Sequence, residues 1–93
     1  MPQAEKSSKI LLIIGSSVFI IERIVSMLEE VKNIEKILTA TDYNTALEVL
    51  YREKAGIVLL DIQMPDKKGI DFLKHIVYHF PDSKVSNLLS DYY

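Results

Sequence analysis

Two short, uninterrupted aliphatic stretches constrain the fold of this chain more than any other feature. They are Ile10–Ile14, which ends at Gly15, and Ile57–Leu60, which runs directly into Asp61. A strand with one face in water alternates apolar and polar side chains, whereas a strand covered on both faces is apolar throughout. The two stretches therefore predict central strands of a parallel sheet that has helices on both of its faces.

The remaining segments predict helices and strands in alternation. Apolar residues recur at helical spacing in three segments: Ile20, Ile24, Met27, Leu28 and Val31; Tyr43, Ala46, Leu47 and Leu50; and Leu73, Ile76, Val77 and Phe80. Ser17 and Asp42 are predicted N-caps of the first two helices. Ile34–Ala40 and Val85–Leu89 are predicted strands. The resulting order βαβαβαβ implies parallel strands joined by right-handed crossovers.

Composition excludes several classes of function. The chain is 48% hydrophobic and 26% charged, with a net charge of −2 and no cysteine. The absence of a basic surplus argues against direct nucleic-acid binding, and the absence of cysteine excludes disulfides, thiol catalysis and thiolate metal sites. Ile10–Ile14 is too short to span a membrane, so we expect no membrane partner and a cytoplasmic location. Residues 1–8 are predicted to be a flexible tail, and residues 9–93 a single domain.

The candidate functional residues follow the predicted strands. In open parallel sheets, ligands bind beyond the carboxyl ends of the strands. Gly15 and Ser16, the Thr41-Asp42 pair, Asp61 and Ser90 occupy those positions. Asp61 alone is a carboxylate that directly ends a central apolar strand, where an ionised side chain needs a partner, a metal or water. Position alone does not distinguish a functional Asp61 from a capping or turn residue.

The residues around Asp61 resemble a known family. The stretch IVLLDIQMPD at 57–66, with Gly69 shortly after it, resembles the phosphorylation-site segment of bacterial response-regulator receiver domains. Ser17–Ile24 resembles the first helix of that family, and the resemblance extends from Lys9 to Ser90. It implies a flavodoxin-like α/β fold, with a parallel sheet of order 2-1-3-4 in this chain. It also implies a phosphoprotein of a two-component phosphorelay, not an enzyme, with a sensor histidine kinase or another signalling protein as partner.

The resemblance also implies a role for individual residues. Asp61 would be the phospho-acceptor, attacking a phosphohistidine to form an acyl phosphate. Asp61 and the backbone carbonyl of Gln63 would be ligands of Mg²⁺. Ser90 would be the switch hydroxyl that follows the phosphoryl group, with a register that the sequence leaves open by one residue. Pro65 and Gly69 would belong to the loop after Asp61.

The sequence differs from the family pattern in two ways that bear on its function. Receivers normally carry two acidic residues after the first strand, where this chain has Gly15 and Ser16. Because Mg²⁺ prefers carboxylate oxygens, we expect weak or absent magnesium binding. The chain also stops before the family's fifth strand, which carries a lysine, and its last helices. We therefore expect an incomplete domain that self-associates through the exposed edge of strand four or is only marginally stable.

Three functions remain to be weighed at this stage. The first is a phosphorelay receiver that uses Asp61, and the second is a pseudo-receiver that acts as a phosphorylation-independent interaction module. The third, an unrelated small-ligand binder of the same shape, lacks a Gly-rich phosphate motif.

His75 and His79 are four residues apart on the third predicted helix. We interpret them as solvated, because two histidines fall short of the usual four metal ligands.

Overall fold

Four parallel strands form one sheet in the computed structural model, which describes residues 9–61 and 69–87. The strands are β1 (Ile10–Ile14), β2 (Lys36–Ala40), β3 (Ile57–Leu60) and β4 (Lys84–Asn87), in the order β2-β1-β3-β4. The predicted strand order and parallel pairing are confirmed. The bounds of β1 and β3 are as predicted, whereas β2 starts two residues late. β4 starts one residue early, and Leu88 and Leu89, which the prediction included, lie outside the described residues.

Helices connect the strands as α1 (Val18–Leu28), α2 (Tyr43–Arg52) and α3 (Gly69–His79). Both predicted N-caps are confirmed. The Ser17 hydroxyl oxygen accepts a hydrogen bond from the backbone N–H of Ile20 at 3.4 Å, and Asp42 Oδ1 accepts one from the backbone N–H of Thr45 at 2.7 Å. Within the described ranges, no helix has both the length and the apolar character that a membrane span requires.

Side chains on alternate strand positions divide the core into two parts, because successive residues of a strand point to opposite faces. The larger part, here called the α2–α3 face, contains buried residues from the sheet, from α2 and from α3, and Ala55 from the connection between α2 and β3. Its members are Leu12, Ile14, Ala40, Tyr43, Ala46, Val49, Leu50, Ala55, Val58, Leu60, Phe72 and Ile76. The smaller part, the α1 face, contains the buried Leu11, Ile13 and Ile21, with a half-buried rim around them.

The predicted apolar stripes of two helices are partly wrong. On α1, Ile20 and Met27 are exposed and Ile21 is the buried residue. On α3, Val77 is exposed and Phe72 is buried instead. Both helices carry neighbouring apolar residues that allow two stripes, rotated by about 100° from one another. The contacts that each helix makes with the sheet determine which stripe is buried. The spacing of apolar residues along the helix does not predict those contacts.

The α1–β2 connection also differs from its prediction. Val31, which the sequence assigned to the first helix, lies beyond the end of that helix and is exposed. Asn33, two residues later, has a φ of 76°. Asparagine is one of the few residues that tolerate this left-handed region. The chain therefore turns at Asn33 before it enters β2 at Lys36.

Candidate functional site

The carboxyl ends of β1 and β3 lie side by side. In the parallel register, Ile14 of β1 is paired with Ala40 of β2 and with Leu60 of β3. The backbone N–H of Gly15 donates to the Ala40 carbonyl at 3.1 Å, and the backbone N–H of Asp61 donates to the Ile14 carbonyl at 3.0 Å. These bonds extend both ladders by one residue. Gly15 and Asp61 therefore leave adjacent strands at the same edge of the sheet.

Asp61 is a buried acidic residue at this edge. It is 7% exposed, and it alone among the polar and charged residues of the described ranges falls in the buried class. Aspartate is seldom buried unless its charge is compensated, because transfer of a carboxylate out of water is costly. A buried carboxylate at the carboxyl edge of a parallel sheet is more typical of a functional group than of a turn residue.

The neighbouring strand end supplies no negative charge. Gly15 is buried and Ser16 is exposed. Asp42 follows β2 at the same edge, but its carboxylate caps α2, and the hydrogen bond from the backbone N–H of Thr45 lowers the pKa of Asp42 below its ordinary value. Residues 9–61 and 69–87 contain no group of three or more His, Asp or Glu residues suited to a metal ion. The weak magnesium site stays a prediction.

A tyrosine that the sequence assigned only to an apolar stripe contacts Asp61. Tyr43, the first residue of α2, is 1% exposed, and its hydroxyl donates a hydrogen bond to the main-chain carbonyl of Asp61 at 3.1 Å. The Tyr43 ring stacks on Phe72 of α3, with ring centroids 4.2 Å apart and an interplanar angle of 14°. One feature of the sequence could have predicted this contact: Tyr43 stands within an otherwise aliphatic stripe. A tyrosine at a buried position usually needs a hydrogen-bond partner for its hydroxyl.

Several residues that the resemblance singled out are not described by the structure. Gln63, Pro65 and Ser90 lie outside the described residues, so their roles stay predictions. Gly69, which the sequence assigned to the loop, is the buried first residue of α3. The described part of β4 ends at Asn87, three residues before Ser90.

His75 differs from its prediction. Its side chain is half-buried, and its Nε2 atom is buried without a hydrogen-bond partner in the described part of the chain. The His75 ring lies nearly parallel to that of Phe72, with centroids 6.4 Å apart, and 4.3 Å from the ring of the exposed His79. The interpretation of two solvated histidines is therefore wrong for His75. The rotation of α3 that buries Phe72 also draws position 75, one turn later, toward the covered side.

Comparison with known proteins agrees with this geometry. Residues 11–89 match the response regulator receiver domain family. The chain is 32% identical over 69 residues to protein-glutamate methylesterase/protein-glutamine glutaminase 2 of Nitratidesulfovibrio vulgaris, an overlap that covers 74% of this chain and 19% of that protein. The chain thus spans about a fifth of the length of such curated relatives.

Solved structures share the fold. The MaeR response regulator bound to beryllium trifluoride superimposes with a TM-score of 0.78 at 24% identity, covering 84% of this chain and 64% of that one. RcsB from Salmonella enterica serovar Typhimurium, bound to promoter rprA in the presence of phosphomimetic BeF3−, gives a TM-score of 0.77 at 21% identity, covering 84% and 41%. The sheet order, the buried aspartate after β3 and the match over residues 11–89 lead to one conclusion: this chain belongs to the response regulator receiver domain family.

Proposed function

We propose that this domain receives a phosphoryl group on Asp61 within a two-component phosphorelay, and that it does so slowly because its metal site is weak. The observation that carries the proposal is the buried Asp61 carboxylate at the end of β3, beside the end of β1. A nucleophile at this edge of a parallel sheet meets its reaction partner where such folds bind ligands.

The proposed step is a transfer between nitrogen and oxygen. An Asp61 carboxylate oxygen attacks the phosphorus of a phosphohistidine, the P–O bond of an acyl phosphate forms, and the P–N bond breaks as the imidazole leaves with its electron pair. Such transfers depend mainly on positioning and on positive charge near the phosphoryl oxygens. The step itself needs no second nucleophile, which fits an edge at which the described residues offer one buried carboxylate.

Magnesium would supply that positive charge when bound. The donors that fit it are the Asp61 carboxylate, the backbone carbonyl of Gln63 and water, since Mg²⁺ often keeps several waters and one or two carboxylates. Gly15 and Ser16 add no anionic oxygen. We therefore propose magnesium affinity that is millimolar or weaker, an order-of-magnitude value that follows from the two missing carboxylates.

The proposed partner is a sensor histidine kinase or another signalling protein, in the cytoplasm, with no direct nucleic-acid or membrane contact. The family match supports a signalling partner. The methylesterase activity belongs to the named relative, of which only 19% is matched, and we do not extend it to these residues. Self-association through the edge of β4 stays a prediction.

The test combines labelling with metal titration. The unmodified chain is incubated with acetyl phosphate and Mg²⁺, and the acyl phosphate is measured by phosphate-affinity electrophoresis and mass spectrometry. We expect slow labelling, abolished by Asp61→Ala and unaffected by Asp82→Ala, because Asp82 is exposed and lies before β4 at the opposite edge of the sheet. The double variant Gly15→Asp with Ser16→Asp should bind Mg²⁺ and BeF3− more tightly and label faster.

The pseudo-receiver is the second candidate function, and the uncharged Gly15-Ser16 pair is the observation that favours it. It predicts that neither the unmodified chain nor the double variant forms an Asp61 acyl phosphate, even at high magnesium. Rapid, Asp61-dependent labelling with tight magnesium binding would instead contradict the weak-site part of our proposal. The unmodified chain and its three variants therefore separate a slow receiver, a pseudo-receiver and a fully competent one.

A further inference from the structure

The backbone of Asp61 is held from two sides. Its N–H donates to the Ile14 carbonyl, which continues the β1–β3 ladder, and its carbonyl accepts the hydroxyl of Tyr43 from α2. Asp61 directly follows the last residue of β3, where a chain leaving a sheet would otherwise gain rotational freedom. Two elements remote in sequence thus restrain the one residue that the proposed phosphoryl transfer requires.

Tyr43 is itself firmly fixed. It opens α2 directly after the N-cap Asp42, whose carboxylate binds the Thr45 N–H. Its ring is fully covered and stacks on Phe72. A buried hydroxyl on a ring held by packing has little freedom to seek another acceptor, so its bond to the Asp61 carbonyl is directional.

We propose that Tyr43 is a positioning residue for the Asp61 carboxylate. It acts through the Asp61 main-chain carbonyl and does not touch the phosphoryl group. The bond restrains rotation of the Asp61 main-chain carbonyl, and therefore the direction in which the acceptor side chain leaves the backbone. Such restraint raises the rate by limiting the acceptor to productive orientations. The inference rests on the proposed phosphoryl transfer to Asp61.

The test removes the hydroxyl and keeps the ring. Tyr43→Phe leaves the stack on Phe72 possible, and Tyr51→Phe is the matched control. Tyr51 lies on the same helix, is 70% exposed and packs its ring edge-on against Phe80 with centroids 5.0 Å apart. Both variants are made in the unmodified chain and in the Gly15→Asp, Ser16→Asp background, where labelling is expected to be faster.

Two readouts separate positioning from general stability. The labelling rate constant at saturating acetyl phosphate, normalised to the folded fraction, should fall about fivefold in Tyr43→Phe, the effect of one neutral hydrogen bond. The control should match its parent. Independently of labelling, NMR should show a displaced Asp61 carboxyl ¹³C resonance and an Asp61 amide that exchanges about fivefold faster in Tyr43→Phe alone.

The outcomes are distinguishable. An unchanged labelling rate and an unchanged Asp61 carboxyl resonance in Tyr43→Phe would overturn the positioning role while leaving Asp61 as the acceptor. If no variant in either background is labelled, the proposed function fails. In that case the carboxyl resonance and the amide exchange still test the positioning role: changes in both support it, and the absence of both overturns it. A labelling loss of equal size in Tyr51→Phe would assign the effect to helix α2 as a whole and would also overturn the proposal.

Discussion

The two faces of the sheet are built from the same strands but are buried very differently. On the α2–α3 face, residues from two helices cover the strands, and Tyr43 and Ile76 are fully buried together with the sheet residues they meet. On the α1 face, Leu11 and Ile13 are buried with Ile21, while most of the surrounding apolar side chains are only partly covered within the described ranges. One sheet therefore has a closely covered side and a sparsely covered side.

The contrast between the two faces shows which side of the sheet restrains the residues of the candidate site. The restraint on the Asp61 carbonyl comes from Tyr43, whose buried ring is packed against Phe72 on the closely covered side. The end of β1, which carries the uncharged Gly15 and Ser16, leads into α1 and the sparsely covered side. The site thus joins the end of β3, which Tyr43 restrains, to the end of β1, which carries no charge.

The largest expected effect comes from truncating neighbouring leucines on opposite faces. Leu12→Ala, on the α2–α3 face, should lower the free energy of unfolding by about 3–5 kcal/mol, and Leu11→Ala, on the α1 face, by about 2–3 kcal/mol. Both are buried residues of β1, but a cavity beneath a partly open rim collapses more easily. Urea denaturation of both variants measures the difference. Equal losses would show that the faces are equally rigid.

A smaller effect of opposite sign is expected at His75. Its Nε2 atom is buried without a partner in the described part of the chain, beside Phe72 on α3. His75→Leu removes that polar atom and should stabilise the domain by about 1 kcal/mol, whereas His79→Leu, at an exposed position, should change little. Thermal unfolding of both variants measures this. Destabilisation by His75→Leu would indicate that Nε2 has an acceptor.

The smallest effect concerns the acid stability of α2. The pKa of Asp42 is below its ordinary 3.8 because the folded chain gives the carboxylate a hydrogen bond from the Thr45 backbone N–H. Its stabilising contribution is therefore present above that ordinary value and is lost as the pH falls through the lowered one. Asp42→Asn caps comparably but does not titrate. The urea midpoint of the unmodified chain should therefore match that of Asp42→Asn at neutral pH and fall below it only below about pH 4.

The sequence predicted the sheet well and the helix orientations poorly. A run such as Ile10–Ile14 needs cover on both faces whatever packs on it, so β1 and β3 were correct to the residue. Ile21 is buried and Ile20 is exposed because of the way α1 packs against the sheet, and this tertiary contact cannot be predicted from the spacing of apolar residues. Asp61 was found from its place after a strand. Tyr43 was missed as a site residue because its partner is a backbone carbonyl 18 positions away.

The central place of β1 has a consequence for how the chain is made. β1 precedes the other three described strands in the chain, yet it lies between β2 and β3, and its β3 partners at Ile57–Leu60 follow only after α1, β2 and α2. At roughly 5–20 residues per second, translation leaves one edge of this aliphatic strand unpaired for several seconds. Sheets closed by such distant pairings also fold slowly. We expect the nascent chain to depend on shielding of Ile10–Ile14 until β3 emerges.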